Sequence, residues 1–320
     1  MKKGKLLITR QIEDNLVNQI QEVIPEWDII ITNEPDQWKV HAKDTTIILG
    51  WRKFFEDTSM DLLNELKWVQ TWSAGVNSLP LKELEGKDIS ITSANGVHSF
   101  PISETVFALM LSLTRNIHTY IKNQEKKKWD GADIKLEMHG KTVGVIGVGA
   151  IGKETAKIAK AFGMKVIGIR HSGKPENYVD EMYTTDKLNA VLPECDYVVI
   201  TLPLTEDTHQ LFKREQFQLM KDSAFLINIG RGEIIKEDDL TAALLAGEIL
   251  GAGLDVFETE PLAESSPLWD MDNVIITPHT SGSTEHYDKR VIEDIFIPNL
   301  KKYIESKELE FNIVDYKKGY

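Results

Sequence analysis

Short apolar runs alternate with longer amphipathic segments over the first hundred residues of the chain. The runs that we predict as strands are KLLIT, DIIIT, TTIILGW, KWVQTW and ISITS. The amphipathic segments near residues 12–23 and 60–65 carry apolar positions at helical spacing, and they predict two helices. Because strands joined by crossover helices give this alternation, the pattern predicts a parallel sheet.

A second alternating series fills residues 141–279. Its six predicted strands are KTVGVIG, KVIGI, YVVITL, AFLINIG, GAGLDVF and VIITPH. A long helix is predicted between the two series at residues 99–127, with Ser99 as candidate N-cap and Pro101 in the first turn. Another helix is predicted at residues 285–304. The pattern therefore predicts an α/β protein with two Rossmann-like, doubly wound parallel-sheet domains.

Length and charge narrow the class of protein. A chain of 320 residues exceeds what one hydrophobic core usually serves, so two domains are expected. The formal net charge of −13 would repel nucleic acid and anionic membrane surfaces. The basic run Lys126–Lys128 is interpreted as the solvated end of a helix. We therefore expect a small molecule as the partner, and neither nucleic acid nor a membrane.

The cysteine content and the N-terminal segment predict a cellular compartment. Cys195 is the only cysteine, so it can form no internal disulfide and no cysteine-rich zinc site, as is usual in a reducing environment. The first apolar run, Leu6–Ile8, is too short for a signal peptide or a membrane span. These features predict a cytoplasmic protein.

Residues 147–152, GVGAIG, fit the pattern GxGxxG. The pattern alone is weak, but here it follows a predicted strand and opens a predicted helix. In such a unit the backbone N–H groups at the start of the helix approach a pyrophosphate. The alternative is a tight turn that needs glycine only for packing. We predict dinucleotide binding, with contacts from Gly147, Gly149, Ala150, Ile151 and Gly152.

The residues after the next predicted strand bear on the choice of cofactor. An Asp or Glu usually holds a free ribose 2′-hydroxyl there, but this chain has Arg170, His171 and Ser172. Arginine can pair with a 2′-phosphate, helped by its two neighbours and by Lys174. The alternative is a solvated surface arginine with relaxed cofactor choice. NADP(H) is therefore the preferred cofactor, with NAD(H) as the alternative.

Polar side chains follow the last three predicted strands, where ligands of open α/β sheets bind. Arg231 follows AFLINIG, and His279 follows VIITP. Three acids, Asp255, Glu258 and Glu260, lie around the end of GAGLDVF. By itself His279 could be a core imidazole, a metal ligand or a catalytic acid. No metal site is predicted, because no second histidine or cysteine lies at ligand spacing.

A cation, a carboxylate and an imidazole at one rim suit reversible hydride transfer to a 2-oxo acid. Hydride addition to the carbonyl carbon makes its oxygen negative, so a protonated group must supply a proton. Histidine suits this role because it changes charge near neutral pH, and a neighbouring carboxylate stabilises the protonated ring. Arginine suits a substrate carboxylate because it stays charged and presents a fork of donors. The residues therefore predict an oxidoreductase.

Four motifs, in this order and spacing, resemble the D-isomer-specific 2-hydroxyacid dehydrogenase family. They are residues 147–152, residues 228–232 (NIGRG), residues 255–262 (DVFETEPL) and residues 277–282 (TPHTSG). The resemblance implies Arg231 as the substrate-binding arginine, Glu260 as the carboxylate paired with the imidazole, and His279 as the general acid/base. It also selects Glu260 over Glu258, which spacing left open. Arg170 resembles the NADPH-preferring glyoxylate and hydroxypyruvate reductases of this family.

The resemblance also implies a domain arrangement. In that family the nucleotide-binding domain is inserted into the substrate-binding domain. The substrate-binding domain would then comprise residues 1–98 and 286–320, and the nucleotide-binding domain residues 99–285. A homodimer is implied in the same way.

Two segments of the first domain are candidates for substrate binding. Ala74 and Gly75 resemble the family's loop whose backbone amides hold the substrate carboxylate, and an ordinary turn is the alternative. Trp51 and Arg52 end another strand on that side, and a tryptophan there is equally consistent with packing. We predict substrate contacts from Trp51, Ala74, Gly75, Arg231 and His279.

Further cofactor contacts are expected at the strand ends and in the motifs. They are Leu202, Pro203, Thr208, Ile229, Gly230, Asp255, Ser281 and Gly282. We predict reduction of a small 2-oxo acid, such as glyoxylate or hydroxypyruvate, to the D-2-hydroxy acid. The chain ends soon after its last predicted helix, which disfavours the phosphoglycerate dehydrogenases that carry a regulatory domain. The alternative from another class is a dinucleotide-sensing protein or corepressor of the same architecture.

Overall fold

The computed structural model describes residues 4–51, 63–76, 79–131 and 135–316. The chain divides into two compact units. Unit 2 is one continuous segment, His98–Ser283, and unit 1 consists of the flanking segments Met1–Val97 and Thr284–Tyr320. None of the helices in the described ranges has both the length and the apolar character that crossing a bilayer requires.

Unit 1 contains a parallel sheet of five short strands. The strands are β1 (Lys5–Ile8), β2 (Asp28–Ile31), β3 (Ile47–Leu49), β4 (Trp68–Gln70) and β5 (Ser90–Thr92). Their order in the sheet is β2-β1-β3-β4-β5. The helices are α1 (Asp14–Val23), α2 (Pro35–Ala42) and α3 (Leu81–Gly86), followed in the second segment by Tyr287–Arg290, Val291–Phe296 and Ile297–Ile304, the middle one a π-helix.

Both faces of the central strands of the unit 1 sheet are buried, as their mostly apolar residues predict. Successive side chains of β1 point to opposite faces. Leu6 and Ile8 pack in one cluster with the α1 residue Leu16 and with Phe296. Leu7 packs in another cluster on the opposite face. The second segment of unit 1 therefore completes the core that the first segment begins.

Unit 2 contains a parallel sheet of seven strands. They are β6 (Thr142–Ile146), β7 (Lys165–Ile169), β8 (Glu181–Tyr183), β9 (Tyr197–Ile200), β10 (Phe225–Asn228), β11 (Gly251–Leu254) and β12 (Val274–Ile276). Their order is β12-β11-β10-β9-β6-β7-β8. The helices are α4 (Ser99–Thr114), α5 (Ile117–Glu125), α6 (Ala150–Ala161), α7 (Leu188–Val191), α8 (Arg214–Leu219) and α9 (Glu237–Ala246).

The predicted fold class is confirmed: two α/β units, each with a parallel sheet. All eleven predicted strands are present, and the structure adds β8, which the sequence pattern missed. Helices α2 and α3 were not predicted either. The helix predicted near residues 60–65 is not supported where it can be checked: residues 60–62 lie outside the described residues, and residues 63–65 are not helical.

The long helix predicted at residues 99–127 is wrong in two details. It is interrupted at Asn116, which adopts a left-handed conformation (φ = 53°), so α4 and α5 are separate helices. Asparagine tolerates this conformation better than most residues. Ser99 is the first helical residue and not the N-cap; His98 takes the N-cap position.

Candidate active site

The carboxyl ends of all seven strands of unit 2 meet at one edge of the sheet, here called the carboxyl edge. The strand order reverses between β6 and β9, since β7 and β8 lie on one side of β6 and β9 to β12 on the other. Open α/β sheets bind ligands at such a switch point. The predicted site residues of unit 2 all lie in loops of this edge or in the first turn of α6.

The glycine loop joins β6 to α6 at the switch point. Gly147 has φ = +111°, and a Cβ there would lie 2.9 Å from the amide nitrogen of Leu202, so this position requires glycine. A Cβ on Gly152 would lie 2.5 Å from the carbonyl oxygen of Gly147, which requires glycine for close helix–strand packing. A Cβ on Gly149 would meet no described protein atom within 4 Å. Space is therefore open beside Gly149.

The start of α6 fits the pyrophosphate of a dinucleotide. Gly149 is the N-cap and provides no capping side chain, and the first turn contains no acidic residue. The first N–H groups of a helix lack intrahelical acceptors, and the helix dipole favours an anion beside them. Ala150 and Ile151 in this turn are half-buried. Open space and free donors thus occur together at the loop that the sequence pattern identified.

The segment after β7 carries the predicted ribose contacts. Arg170 directly follows the strand and is half-buried, whereas His171 and Ser172 are exposed. Arg170 Nη1 lies 3.3 Å from Oε2 of Glu176, and Lys153 Nζ, from α6, lies 2.7 Å from the same oxygen. The hydrogen bond from Lys153 holds the pKa of Glu176 below its usual value. Sequence reasoning missed Glu176, which lies in the loop beyond the position where an acid was sought.

The loop after β9 is organised by Thr208. Leu202 is half-buried, Pro203 is exposed, and Thr208 is buried. The Thr208 hydroxyl donates to the carbonyl oxygen of Pro203 at 2.7 Å and accepts from the backbone N–H of Thr205 at 2.8 Å. Thr208 therefore shapes the loop next to the glycine loop.

The loop after β10 presents Arg231. Asn228 ends the strand and is buried, as are Ile229 and Gly230, whereas Arg231 is exposed. Asn228 Oδ1 accepts from the N–H of Gly230, and its Nδ2 donates to the carbonyl oxygen of Arg231, both at 3.1 Å. Arg231 Nη1 donates to the carbonyl oxygen of Gly230 at 2.7 Å. Asn228 thus fixes the backbone that carries Arg231, a role that was not predicted.

The loops after β10 and β11 pack directly against each other at Gly232. A Cβ on this glycine would lie 1.9 Å from the carbonyl carbon of Phe257, so only glycine fits. Glu237, the first residue of α9, accepts from the backbone N–H of Glu258 at 3.2 Å, and burial raises the pKa of Glu237. These contacts hold the two loops together.

His279 lies in the loop after β12 with a left-handed backbone (φ = 53°). Its Nδ1 lies 2.7 Å from Oε2 of Glu260, and Oε1 of Glu260 accepts from the backbone N–H of Phe257 at 3.1 Å. Both side chains are partly exposed. Of the two candidate glutamates, Glu260 is therefore the one that faces the imidazole. Because Nδ1 faces Glu260, Nε2 is the ring nitrogen left for a reacting group.

Asp255 is completely buried below the His279 loop. Its Oδ1 accepts from the Thr277 hydroxyl at 2.6 Å and from the Thr280 N–H at 3.0 Å, and its Oδ2 accepts from the Ser281 N–H at 3.1 Å. Its carbonyl oxygen accepts from the N–H of His279 at 2.9 Å. This geometry favours a positioning role for Asp255 over the predicted cofactor contact.

The loop that carries His279 extends to Gly282, which contacts a histidine with no predicted role. His98 Nδ1 lies 2.8 Å from the carbonyl oxygen of Gly282, and a Cβ on Gly282 would lie 3.0 Å from that nitrogen. Ser281 is buried. Ser281 and Gly282 thus belong to the closely packed base of the loop, and no sequence motif signalled the contact with His98.

The remaining predicted substrate contacts lie in unit 1. Trp51 follows β3 and is half-buried. Ala74 and Gly75 are exposed in the segment after β4, where the Ser73 hydroxyl donates to the carbonyl oxygen of Gly75 at 2.6 Å. They occupy the carboxyl ends of the unit 1 strands, as the sequence pattern placed them. Arg52 lies outside the described residues.

The described residues support neither a cysteine nucleophile nor a metal site. Burial raises the pKa of the Cys195 thiol to about 12, so this cysteine is not a thiolate nucleophile at neutral pH. Within the described ranges, no three His, Cys, Asp or Glu side chains cluster as metal ligands would.

Known proteins similar to this chain include dehydrogenases and reductases. The family model for the D-isomer specific 2-hydroxyacid dehydrogenase, NAD binding domain, matches residues 107–281. Glyoxylate/hydroxypyruvate reductase B of Escherichia coli (strain SMS-3-5 / SECEC) is 31% identical over an alignment of 322 residues that covers 98% of this chain and 98% of the relative.

Two solved structures extend the similarity to the fold. A D-isomer specific 2-hydroxyacid dehydrogenase family protein from Aeromonas salmonicida subsp. salmonicida A449 is 32% identical, with a TM-score of 0.82 over 98% of this chain and 100% of that chain. The NADPH-dependent glyoxylate/hydroxypyruvate reductase from Sinorhizobium meliloti, in complex with NADP and sulfate, is 27% identical. Its TM-score is 0.78 over 99% of this chain and 100% of that chain.

Proposed function

The chain belongs to the D-isomer-specific 2-hydroxyacid dehydrogenase family, and we propose that it reduces a short 2-oxo acid to the D-2-hydroxy acid with His279 as the general acid. The observation that carries this proposal is the 2.7 Å contact between His279 Nδ1 and Glu260 Oε2 at the carboxyl edge of the dinucleotide-binding sheet. The reverse reaction would use the same ring as a general base.

His279 moves the proton. The contact with Glu260 orients the imidazole and leaves Nε2–H to donate to the substrate carbonyl oxygen. A bound reduced nicotinamide supplies the hydride to the carbonyl carbon. Asp255, through its hydrogen bonds to the loop, keeps the backbone of His279 in place while the proton is transferred.

Arg231 binds the substrate carboxylate or carbonyl. One guanidinium nitrogen donates to the carbonyl oxygen of Gly230, which restricts the side chain without using the rest of its donor fork. A fixed, permanently charged fork orients a carboxylate better than a flexible ammonium does. The backbone amides of Ala74 and Gly75, together with Trp51, are proposed as the contribution of unit 1 to substrate binding.

The cofactor is proposed to be NADP(H) in preference to NAD(H). Arg170, His171, Ser172 and Lys174 together supply a permanent cation and polar groups beside the end of β7, where a 2′-phosphate would lie. The NADP complex of the Sinorhizobium meliloti relative supports this preference. Unit 2 is accordingly assigned as the nucleotide-binding domain and unit 1 as the substrate-binding domain. The substrate is proposed to be glyoxylate, hydroxypyruvate or a similarly short 2-oxo acid.

A homodimer is proposed on the surface of α5. This helix contains no buried residue, and Ile117 and Ile121, one helical turn apart, are 44% and 54% exposed. Trp129 nearby in the sequence is fully exposed. Exposed apolar surface of this kind favours association, most often of two identical copies. Sedimentation of Ile121→Glu as a monomer beside a dimeric unsubstituted protein would support the proposal, and an unchanged dimer would contradict it.

The compartment is proposed to be the cytoplasm. Cys195 is the single cysteine of the chain, and it is free and buried. This use of cysteine fits a reducing environment.

The enzymatic proposal is tested by the absorbance of NADPH and NADH at 340 nm in the presence of a panel of 2-oxo acids. Oxidation is expected with glyoxylate or hydroxypyruvate, faster with NADPH than with NADH. Arg231→Lys is expected to lower kcat/KM about a hundredfold while dinucleotide affinity stays unchanged. Unchanged turnover in Arg231→Lys would contradict the role of the guanidinium.

A further inference from the structure

Glu176 joins two cations that border the glycine loop. Its Oε2 lies 2.7 Å from Lys153 Nζ and 3.3 Å from Arg170 Nη1, while Oε1 accepts from the backbone N–H of Asn177 at 3.2 Å. The side chain of Glu176 is only 18% exposed, compared with 27% for Arg170 and 49% for Lys153. The carboxylate is therefore held in place by three donors rather than free in solvent.

The three side chains, here called the Glu176 cluster, lie where the adenosine ribose is bound in this fold. Lys153 lies near the start of α6, four residues after Gly149. Arg170 directly follows Ile169, whose carbonyl oxygen accepts from the N–H groups of Gly147 and Val148 at 2.9 and 3.0 Å. The cluster is thus tied to the loop that is proposed to bind the pyrophosphate.

We propose that Glu176 determines cofactor specificity by restraining the preference for a 2′-phosphate. This inference rests on the proposed function, in which unit 2 binds a dinucleotide and Arg170 faces the ribose. The cluster contains two cations and one carboxylate, so one of the two positive charges is offset. A dianionic 2′-phosphate is repelled by the carboxylate and must compete with it for Arg170, whereas a neutral 2′-hydroxyl meets neither penalty.

Glu176 holds Lys153 more closely than it holds Arg170, and it therefore restrains the binding of a 2′-phosphate only in part. The contact with Lys153 is short, whereas Arg170 is held at 3.3 Å through one nitrogen of its fork. A monodentate pair of this length leaves the other guanidinium N–H groups available to a phosphate. Arg170 can therefore turn to a 2′-phosphate while Lys153 retains Glu176. The arrangement gives a protein that accepts both dinucleotides and prefers NADP(H).

The test is the ratio of the dissociation constants of NADP⁺ and NAD⁺, measured calorimetrically for the unsubstituted protein and for Glu176→Gln. The amide keeps the size of the side chain and removes its charge. The ratio is expected to shift toward NADP⁺ by about five- to tenfold, through tighter NADP⁺ binding, because the pocket is partly exposed and screened. The ratio of kcat/KM for NADPH and NADH is expected to follow.

A matched control is Glu181→Gln. Glu181 also accepts a lysine at 2.7 Å, but its partner Lys165 is the first residue of β7, at the opposite end of the strand from Arg170. The control is expected to leave the ratio unchanged. An equal shift in Glu181→Gln would overturn the proposal, because the effect would then come from overall charge.

Two further outcomes separate this inference from the proposed function. Normal binding of both dinucleotides with an unchanged ratio in Glu176→Gln, or with a shift toward NAD⁺, would overturn the role of Glu176 alone. A shift toward NAD⁺ would show that Glu176 holds Arg170 in place for the phosphate. Failure of the unsubstituted protein to bind either dinucleotide would overturn the proposed function together with this inference.

Discussion

The two ends of the seven-stranded sheet hold their functional groups differently. At the chemistry end, defined as the loops after β10, β11 and β12, buried side chains fix the loops: Asn228 holds the backbone of Arg231, and Asp255 holds the backbone of the two residues that follow His279. At the cofactor end, the loops after β6 and β7, the groups are backbone amides and partly exposed charges such as Arg170 and Glu176. Proton transfer needs fixed geometry, whereas cofactor choice can be set by the balance of nearby charges.

The largest effect is expected at the chemistry end, from His279→Ala. Loss of the general acid should lower kcat/KM for the 2-oxo acid by about 10²- to 10⁴-fold. Dinucleotide affinity should stay unchanged, because this ring is not part of the cofactor end. Steady-state kinetics and calorimetric titration with NADPH measure the two quantities.

The matched control for this variant is His286→Ala. His286 Nε2 lies 3.6 Å from Glu285 Oε1, and the side chain is 55% exposed, compared with 49% for His279. Its removal should leave turnover unchanged. Equal losses in the two variants would contradict the assignment of the proton to His279.

The next largest effect is expected from Gly232→Ala, which tests the packing between the loops after β10 and β11. In Gly232→Ala, the new Cβ would collide with the backbone of Phe257, which belongs to the neighbouring loop and cannot rotate away. We expect the free energy of unfolding to fall by about 2–3 kcal/mol, measured by urea denaturation. Turnover of the folded variant should fall as well, because the Arg231 and Glu260 loops are forced apart. A variant as stable and as active as the unsubstituted protein would show that the loops are not rigidly coupled.

Gly149→Ala is the counterpart of Gly232→Ala, since it alters a glycine at the cofactor end. A Cβ there enters open space, so the free energy of unfolding should change by less than about 1 kcal/mol. Dinucleotide affinity should nevertheless fall about tenfold, because the methyl group keeps the pyrophosphate away from the first N–H groups of α6. Isothermal titration measures this loss. Undiminished affinity would mean that the pyrophosphate does not approach this glycine.

The smallest effect is expected from Arg170→Gln. Removal of this half-buried cation should lower kcat/KM with NADPH about fivefold, since its pair with a 2′-phosphate would be partly screened by solvent. The value with NADH should change less than about twofold, because a 2′-hydroxyl carries no charge. Parallel kinetics with both cofactors at low and moderate ionic strength measure the difference. Equal losses with the two cofactors would indicate a structural role for Arg170 instead.

The strands of unit 2 were predictable because their buried positions are continuous apolar runs. The missed strand β8, EMY, has three half-buried residues at the edge of the sheet, and its pattern does not differ from that of a loop. The break at Asn116 was missed because residues on both sides have helical spacing. Local patterns therefore predicted the strands of the core, but they predicted neither the edge strand nor the break in the helix.

The sequence predicted those residues of the candidate site that lie in recognisable motifs or directly after predicted strands. Residues 147–152 were found from their glycine pattern between a strand and a helix, and His279 from its place after a strand. Gly232 was named within a motif, but its contact with Phe257 joins two loops and has no local signal. Glu176 was missed for the same reason: only the fold brings it beside Lys153 and Arg170. Contacts between segments separated in sequence require the three-dimensional structure.

The most direct measurement is a single-turnover reaction of the protein loaded with NADPH and mixed with hydroxypyruvate, with absorbance at 340 nm followed and the product analysed on a chiral column. Proton donation by His279 at the carboxyl edge predicts one D-glycerate formed for each NADPH oxidised, and no oxidation on this time scale in His279→Ala. A flat trace from the unsubstituted protein with hydroxypyruvate, glyoxylate and other short 2-oxo acids, despite stoichiometric NADPH binding, would contradict it.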